Sequence, residues 1–442
     1  MAKIIVIGSN HAGNAAITTI LSHYPENQVT MYERNDNISF LGCGTALWLG
    51  GQIDGYEGLF YTNPDTLKAQ GAKINVKTDV THIDFENKIV YYKNAEGEGQ
   101  DSYDKLILAT GSLPIQPKIN GLDKDGVHLV KLFQNALEID KELANPDIHH
   151  VTVVGAGYIG VEVAEAFKRR GKEVSLVDNM DHCLSTYYDE EFTTLMEDNL
   201  KKHGVDLHFG ETLVEVLGDK RVNGVRTTKG EFKTDMLILC IGFRPNSELG
   251  KNHLELFKNG AYLVDKHQQT SDKDVYAIGD CATVYDNALQ DTSYIALATN
   301  AVRTGIIAAH NVCGTDLEGI GVQGSNGINI WDLKMISTGL NEARAKKLGF
   351  EVKSTTWEDL QRPAFMREND KVKIKIVYDA KTRRVLGMQC ASNYDMSMLN
   401  HMFSLAIQEK ITIDKLSLLD IFFLPHFNQP YNYITMAALT AK

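Results

Sequence analysis

Nowhere in these 442 residues do about 18 apolar residues run together, the length a membrane-spanning helix needs. No membrane association is therefore expected. The six cysteines (Cys43, Cys183, Cys240, Cys281, Cys313 and Cys390) are scattered, with no CxxC pair. That argues against a disulfide framework and against a zinc site, and it fits a reducing compartment. His149 and His150 are adjacent, but no cysteine or histidine stands at ligand spacing beside them, so no metal is expected. Positive charge is in deficit: 45 Lys and Arg against 57 Asp and Glu leave a formal net charge of -12. Nucleic acid and anionic membranes are poor partners for such a chain. A phosphorylated ligand is not excluded, because backbone amides at helix N-termini bind phosphate locally. The first residues, Met-Ala-Lys-Ile-Ile-Val-Ile-Gly, lack the pattern of a secretory signal, so a cytoplasmic location is expected.

What is present is ordinary globular composition, 43% hydrophobic and 23% charged, in a chain long enough for about three domains. Two strand–turn–helix–strand signatures stand out. The first runs from the strand Lys3–Ile7 through a turn at Gly8-Ser-Asn10-His11-Ala12-Gly13, a helix over about 12–24 and a strand Val29–Glu33. The second runs from the strand Val151–Val154 through Gly155-Ala-Gly157-Tyr158-Ile159-Gly160, a helix to Arg170 and a strand Val174–Asp178. In such a turn the first glycine permits the sharp reversal, the second lets a pyrophosphate approach the backbone, and the third lets helix and strand pack closely. The pyrophosphate then lies on the helix N-terminus. Asp178 ends the following strand, where a carboxylate accepts hydrogen bonds from an adenosine ribose and repels a 2′-phosphate, which favours NADH over NADPH. The first turn is degenerate, with Asn10 in place of the middle glycine, but Glu33 stands at the matching acidic position.

From about Gly327 the pattern changes to α+β. Ile328–Ile330 and Met335–Ser337 read as short strands, Asn341–Leu348 as a helix stopped by Gly349, and Met398–Gln408 as a further helix. Val372, Ile374 and Ile376 alternate with Lys371, Lys373 and Lys375, the period of a strand buried on one face and solvated on the other. With no phosphate loop, this region is expected to be an interface or lid.

Tyr103–Gly111 is an apolar strand ending in Thr110-Gly111, and Thr270–Asp280 contains another ending in Gly279-Asp280. Thr234–Asn246, with Gly242-Phe-Arg-Pro-Asn, is a third such segment. Together these resemble the FAD and NAD motifs of the pyridine nucleotide-disulfide oxidoreductases, the glutathione-reductase-like family. The resemblance implies an α/β fold with two Rossmann-like dinucleotide-binding domains and a C-terminal α+β dimerisation domain. It implies a discontinuous FAD domain, 1–114 with 247–320, an inserted NAD domain, 115–246, and a dimerisation domain, 321–442. For FAD it points to Gly8, Asn10, His11, Ala12 and Gly13, to Glu33 and Arg34, and to Cys43 and Val80. It adds Thr110, Gly111, Ser112 and Lys131, then Asp280, and the run Ala296, Leu297, Ala298 and Thr299. For NADH it points to the turn residues Gly155, Gly157, Tyr158, Ile159 and Gly160, to Asp178, and to Tyr187, Gly242 and Gly327. Tyr158 is expected to gate the nicotinamide pocket.

Ser39-Phe-Leu-Gly-Cys43-Gly-Thr-Ala-Leu-Trp48 narrows the chemistry. Disulfide reductases of this family carry CxxxxC here, but position 48 is Trp, so no internal disulfide can form. The stretch is similar to that of the NADH oxidase, NADH peroxidase and CoA-disulfide reductase branch. There a single cysteine cycles between thiolate and sulfenic acid or forms a mixed disulfide with CoA. Gly42 and Gly44 leave the sulfur unshielded, and a thiolate is the nucleophile required. The other five cysteines read as inert core residues. The resemblance makes Cys43 and His11 the catalytic pair, with His11 hydrogen-bonding peroxide or sulfenate and handling protons. It also places Phe422–Tyr431 over the flavin of a partner subunit in a homodimer. The expected activity is oxygen detoxification, the reduction of O2 to water by NADH. Peroxide reduction, CoA-disulfide reduction and electron donation to a protein partner are the alternatives.

Overall fold

A computed structural model describes residues 1–442. The Ile- and Val-rich segment Lys3–Ile7 forms a strand that is buried at four of its five positions. It sits in the middle of a five-stranded parallel sheet, in the spatial order 275–277, 105–108, 3–7, 28–32, 73–75. Parallel sheets need both faces covered, which is why these strands read as unbroken apolar runs. The helices His11–His23 and Ala298–Val312 pack together on one face, joined by Ala16, Ile17, Ala308 and Ala309 in a shared core.

The second signature builds a second parallel sheet, in the order 205–209, 173–178, 150–154, 236–239, 127–129. The chain thus leaves the first sheet after 105–108, completes the second, and returns to supply 275–277. Its outward and return paths lie side by side. Ser112–Pro114 pairs antiparallel with Phe243–Pro245, and Thr110 Oγ1 donates to the Asn246 carbonyl at 2.6 Å. Small antiparallel sheets flank each large one, 79–84 with 89–94 and 97–102, and 213–217 with 224–227 and 231–233. The remaining residues form an antiparallel sheet, 326–330, 333–339, 385–392, 371–379, 352–360, with the helices Ser397–Gln408 and Tyr433–Leu439 packed on it. The architecture is α/β with two Rossmann-type sheets and a C-terminal α+β unit. No helix is long and apolar enough to cross a membrane.

The apolar core of the second sheet extends into both neighbours. It includes Ala46 and Leu49 from the helix Thr45–Leu49, and Ile328, Ile330 and Met335 from the antiparallel sheet. This contact corrects the reading of Lys375. The alternation in 371–379 predicts a solvated lysine, but Lys375 is buried, because the N-terminus of the helix Glu190–Lys202 and the helix Glu342–Lys347 close over that face. Its Nζ lies 2.7 Å from Glu191, 2.9 Å from Glu342 and 3.1 Å from Asp189. Asp189 also accepts from the Glu342 and Ala343 backbone amides, both at 3.1 Å. Burial alone pushes the Glu342 carboxyl up, but hydrogen bonds from Lys346, Ser354 and Lys375 outweigh it and hold the group at about 2.

Removing one partner from a buried ionic network leaves the others as uncompensated charges. Lys375→Met is expected to destabilise the protein by about 3–5 kcal/mol, seen as a lowered thermal midpoint at neutral pH. Because the Glu342 pKa is depressed in the fold, its contribution is complete above its ordinary value of 4.5 and is lost as pH falls through that value toward about 2. The gap between wild type and Lys375→Met should therefore narrow over that acid range in matched melts.

Candidate active site

The two glycine turns share one geometry. A Cβ on Gly13 would lie 2.0 Å from the Gly8 carbonyl oxygen, and one on Gly160 would lie 1.7 Å from that of Gly155. Gly8 and Gly155 themselves take φ of +100 and +104 and face the carbonyls of Ala109 and Cys240. Only glycine fits at these four positions. The middle position differs: a Cβ on Gly157 would meet nothing within 4 Å, so the protein itself accommodates Asn10 at the matching place. Each turn is closed by its acidic residue. Glu33 accepts from the Ser9 backbone at 3.0 Å and the Asn35 backbone at 2.8 Å, and Asp178 accepts from the Ala156 backbone at 2.5 Å and the Met180 backbone at 2.8 Å.

A cavity of about 550 Å³ opens from the first turn. Its wall takes Gly8, Asn10, His11 and Ala12 from the turn, Glu33 and Arg34 from the end of the second strand, and Val80 from the small sheet. Thr110, Gly111, Ser112, Lys131 and Asp280 line it as well. Ser112 Oγ donates to Asp280 at 2.8 Å and receives from Lys131 Nζ at 2.8 Å. Asp280 sits there because Gly279, at φ +68, brings its short 3-10 turn against Ala12. Gly13 lies behind the wall, against Gly8. Ala296, Leu297, Ala298 and Thr299 lie at the start of the helix Ala298–Val312, which contributes Ala301 to the wall instead.

At the second turn Tyr158 opens the helix Tyr158–Arg169. Its hydroxyl meets that of Tyr188 at 2.8 Å and the Asn326 side chain, and its ring meets Tyr187 edge-on at 4.6 Å. Tyr158 thus bridges the second sheet to the strand Asn326–Ile330, which carries Gly327. Gly242, at φ +97, accepts from the Ile115 backbone at 3.0 Å, where the two chain crossings meet.

Cys43 is exposed in the short turn Gly42–Gly44, immediately before the helix Thr45–Leu49. Trp48, where a second cysteine would stand in a disulfide reductase, is buried with Phe40, Leu59 and Phe133 and fixes this helix in place. The helix packs on Tyr158–Arg169, with Gly50 in close contact with Ala166. Burial pushes the Cys43 thiol up. Its own and the Gly44 backbone amides pull the other way, Glu162 adds to the rise, and the net shift is upward. Glu162 is itself held at about 7 by burial, with Glu165 adding to the effect. His11 is pushed down by burial, aided by Lys131 and opposed by Asp280. Its ring stacks on Tyr61 at 5.7 Å between centroids.

Glu162 and Tyr61 were not legible as site residues in the sequence. Glu162 offered one signal: it stands four residues after Tyr158, hence on the same helix face. Tyr61 offered none. Cys183, Cys281 and Cys390 are buried, and burial lifts Cys240 to about 12 and Cys313 to about 11, which leaves Cys43 as the exposed thiol.

The chain matches the pyridine nucleotide-disulphide oxidoreductase family over residues 2–305 and that family's dimerisation domain over residues 327–432. It is 56% identical to an NADH oxidase of Streptococcus pyogenes over 455 residues, covering 100% of both chains. It is 54% identical to an NADH oxidase of Lactococcus lactis subsp. cremoris over 445 residues, again covering 100% of both. Among solved structures it is similar to a water-forming NADH oxidase from Lactobacillus brevis bound to NADH, with a TM-score of 0.97 and 39% identity, covering 99% of this chain and 98% of that one.

The carboxylate of Glu162 disfavours the thiolate of Cys43 only when it is ionised, above about 7. Glu162→Gln should therefore speed alkylation of Cys43 by a few-fold above that pH and leave it unchanged well below, measured by mass spectrometry of the Cys43 peptide across a pH series.

Proposed function

The chain belongs to the pyridine nucleotide-disulphide oxidoreductases, and within that family we propose that it oxidises NADH and reduces O2 to water. The observation that carries this reading is the exposed Cys43 with the buried Trp48 behind it, which leaves a single thiol where a reducible disulfide would otherwise lie. Full-length likeness to the streptococcal and lactococcal NADH oxidases supports it.

The cavity at the first turn fits FAD. It offers a helix N-terminus for a pyrophosphate, a carboxylate at Glu33, and the hydrogen-bonded set Lys131, Ser112 and Asp280 on its wall. FAD held there supplies the carrier that accepts a hydride equivalent from NADH and passes the electron pair to oxygen or to Cys43. The second turn, with Gly157 open to a ligand and Asp178 at its rim, holds NADH, and Tyr158 and Tyr187 cover the nicotinamide end.

The remaining steps fall to the chain's own residues. One NADH, one proton and one O2 give H2O2. The Cys43 thiolate attacks the near oxygen, the O–O bond breaks, and the departing hydroxide takes a proton to leave as water. The product is Cys43 sulfenic acid. A second NADH provides the electron pair that restores the thiolate and releases a second water. His11, neutral because burial pushes its pKa down, hydrogen-bonds the oxygen being transferred. The protein forms a homodimer through its C-terminal unit. Its exposed Phe422, Phe423, Phe427 and Tyr431 lie over the partner subunit's FAD site, which shields them from water.

Oxygen uptake against NADH consumption tests the reading. It requires one O2 per two NADH with no effect of catalase, and stoichiometric H2O2 release would overturn it. Cys43→Ser should still oxidise NADH but release H2O2, because the peroxide trap is gone. Asp178→Asn keeps the shape of the side chain and removes its charge. It should raise the ratio of kcat/KM for NADPH to that for NADH by about 10- to 100-fold, in steady-state assays of both nucleotides.

A further inference from the structure

Tyr61 is half exposed and takes no part in the steps above, yet its position is closely constrained. The segment 59–62 runs antiparallel to the segment that carries Cys43. Leu41 N donates to the Leu59 carbonyl at 2.8 Å, and Phe40 bridges Phe60. Ser39 Oγ donates to the Thr62 carbonyl at 2.7 Å and accepts from Thr62 N at 3.1 Å. Ser39 is fully buried at φ +61, a backbone conformation a serine adopts only where its surroundings over-determine it, and its amide donates to Ser9 of the first glycine turn at 3.1 Å. One clamp therefore holds the Cys43 segment, the first turn and Tyr61 in register. At its end the Tyr61 ring lies parallel to His11, with planes 8° apart, and its hydroxyl is 3.3 Å from His11 Nδ1.

The hydrogen-bond roles follow from Asn14. Its Nδ2 donates to the Ser9 carbonyl at 2.7 Å, and because a carbonyl only accepts, the amide nitrogen must face it. The same nitrogen lies 3.5 Å from the Tyr61 oxygen and has its second N–H left for it. The amide nitrogen of Asn14 can only donate, so His11 Nδ1 is the one protein acceptor within reach of the phenol proton, and the phenol gives that proton to Nδ1. We propose that Tyr61 is a positioning residue that fixes the ring of His11 and keeps its proton on Nε2, so that His11 presents a hydrogen-bond donor to the peroxide or sulfenate oxygen at Cys43. A neutral imidazole has one proton and two places for it, so without this contact part of the population would present a lone pair to an electron-rich oxygen. The logic is that of an orienting group behind a catalytic histidine.

This inference rests on the oxidase reading, and the test separates the two. In the FAD-loaded full-length protein labelled with 15N-histidine, the His11 signals are identified by their loss in His11→Gln. Wild type should show Nδ1 as the unprotonated nitrogen and Nε2 as the protonated one. Tyr61→Phe keeps the stacked ring, removes only the hydroxyl, and should shift His11 to a tautomer mixture. The same variant should lose about tenfold in NADH turnover driven by H2O2 without oxygen, and should release H2O2 under air. A protonated Nδ1 in wild type, or an unchanged tautomer in Tyr61→Phe, would overturn the positioning role. If Cys43→Ser releases no H2O2, the oxidase reading itself fails, whatever the tautomer.

Discussion

Both nucleotide folds depend on a helix resting directly on the carbonyl of the turn that precedes it. Gly13 over Gly8 and Gly160 over Gly155 leave no room for a single carbon atom. This contact brings the first turn of each helix down to the sheet edge and aims its free backbone N–H groups into the opening. With a side chain there, the helix would rise and the acidic residues at the ends of the second strands would no longer reach the turns. Glu33 and Asp178 close the turns in the same way, although the residues between differ. The degenerate first turn keeps both packing glycines and has lost only the middle one, which the packing does not require.

The cysteine segment is built on that frame but held by different forces. The helix that follows Cys43 is one and a half turns long and could not persist alone. Trp48 and the surrounding phenylalanines anchor it on one side, and the helix Tyr158–Arg169 supports it on the other. The consequence for the sulfur is mixed. Flanking glycines leave it open to small oxidants, while the apolar support and Glu162 oppose its ionisation. The same support links the thiol to the second nucleotide fold, since Glu162 and Tyr158 lie on one face of one helix.

The three units are joined by apolar and ionic contacts of unlike kinds. The core of the second sheet is continuous with residues of the antiparallel sheet, and Tyr158 reaches Asn326 across the same boundary. Lys375, among three carboxylates, also bridges that boundary. Buried ionic groups of this kind add little net stability compared with apolar ones, but they tolerate only one arrangement of the elements that carry them.

The amino-acid sequence by itself determined the two glycine turns, the strands and helices around them, and the position of the lone Cys43 with Trp48 five residues on. Each of these is written locally, in glycine spacing, in unbroken apolar runs, or in a Trp standing where a Cys is required for a disulfide. It could not determine the state of Lys375. Period-two alternation reports which side of a strand a residue is on, and says nothing of whether another unit covers that side. Nor could it find Tyr61 or Glu162, because their significance comes from neighbours distant in the chain: His11 is fifty residues from Tyr61, and Cys43 belongs to a different unit from Glu162. The protonation states of Cys43 and His11 belong with these. A pKa is set by the burial and charges that surround a group, and those exist only after the chain has folded.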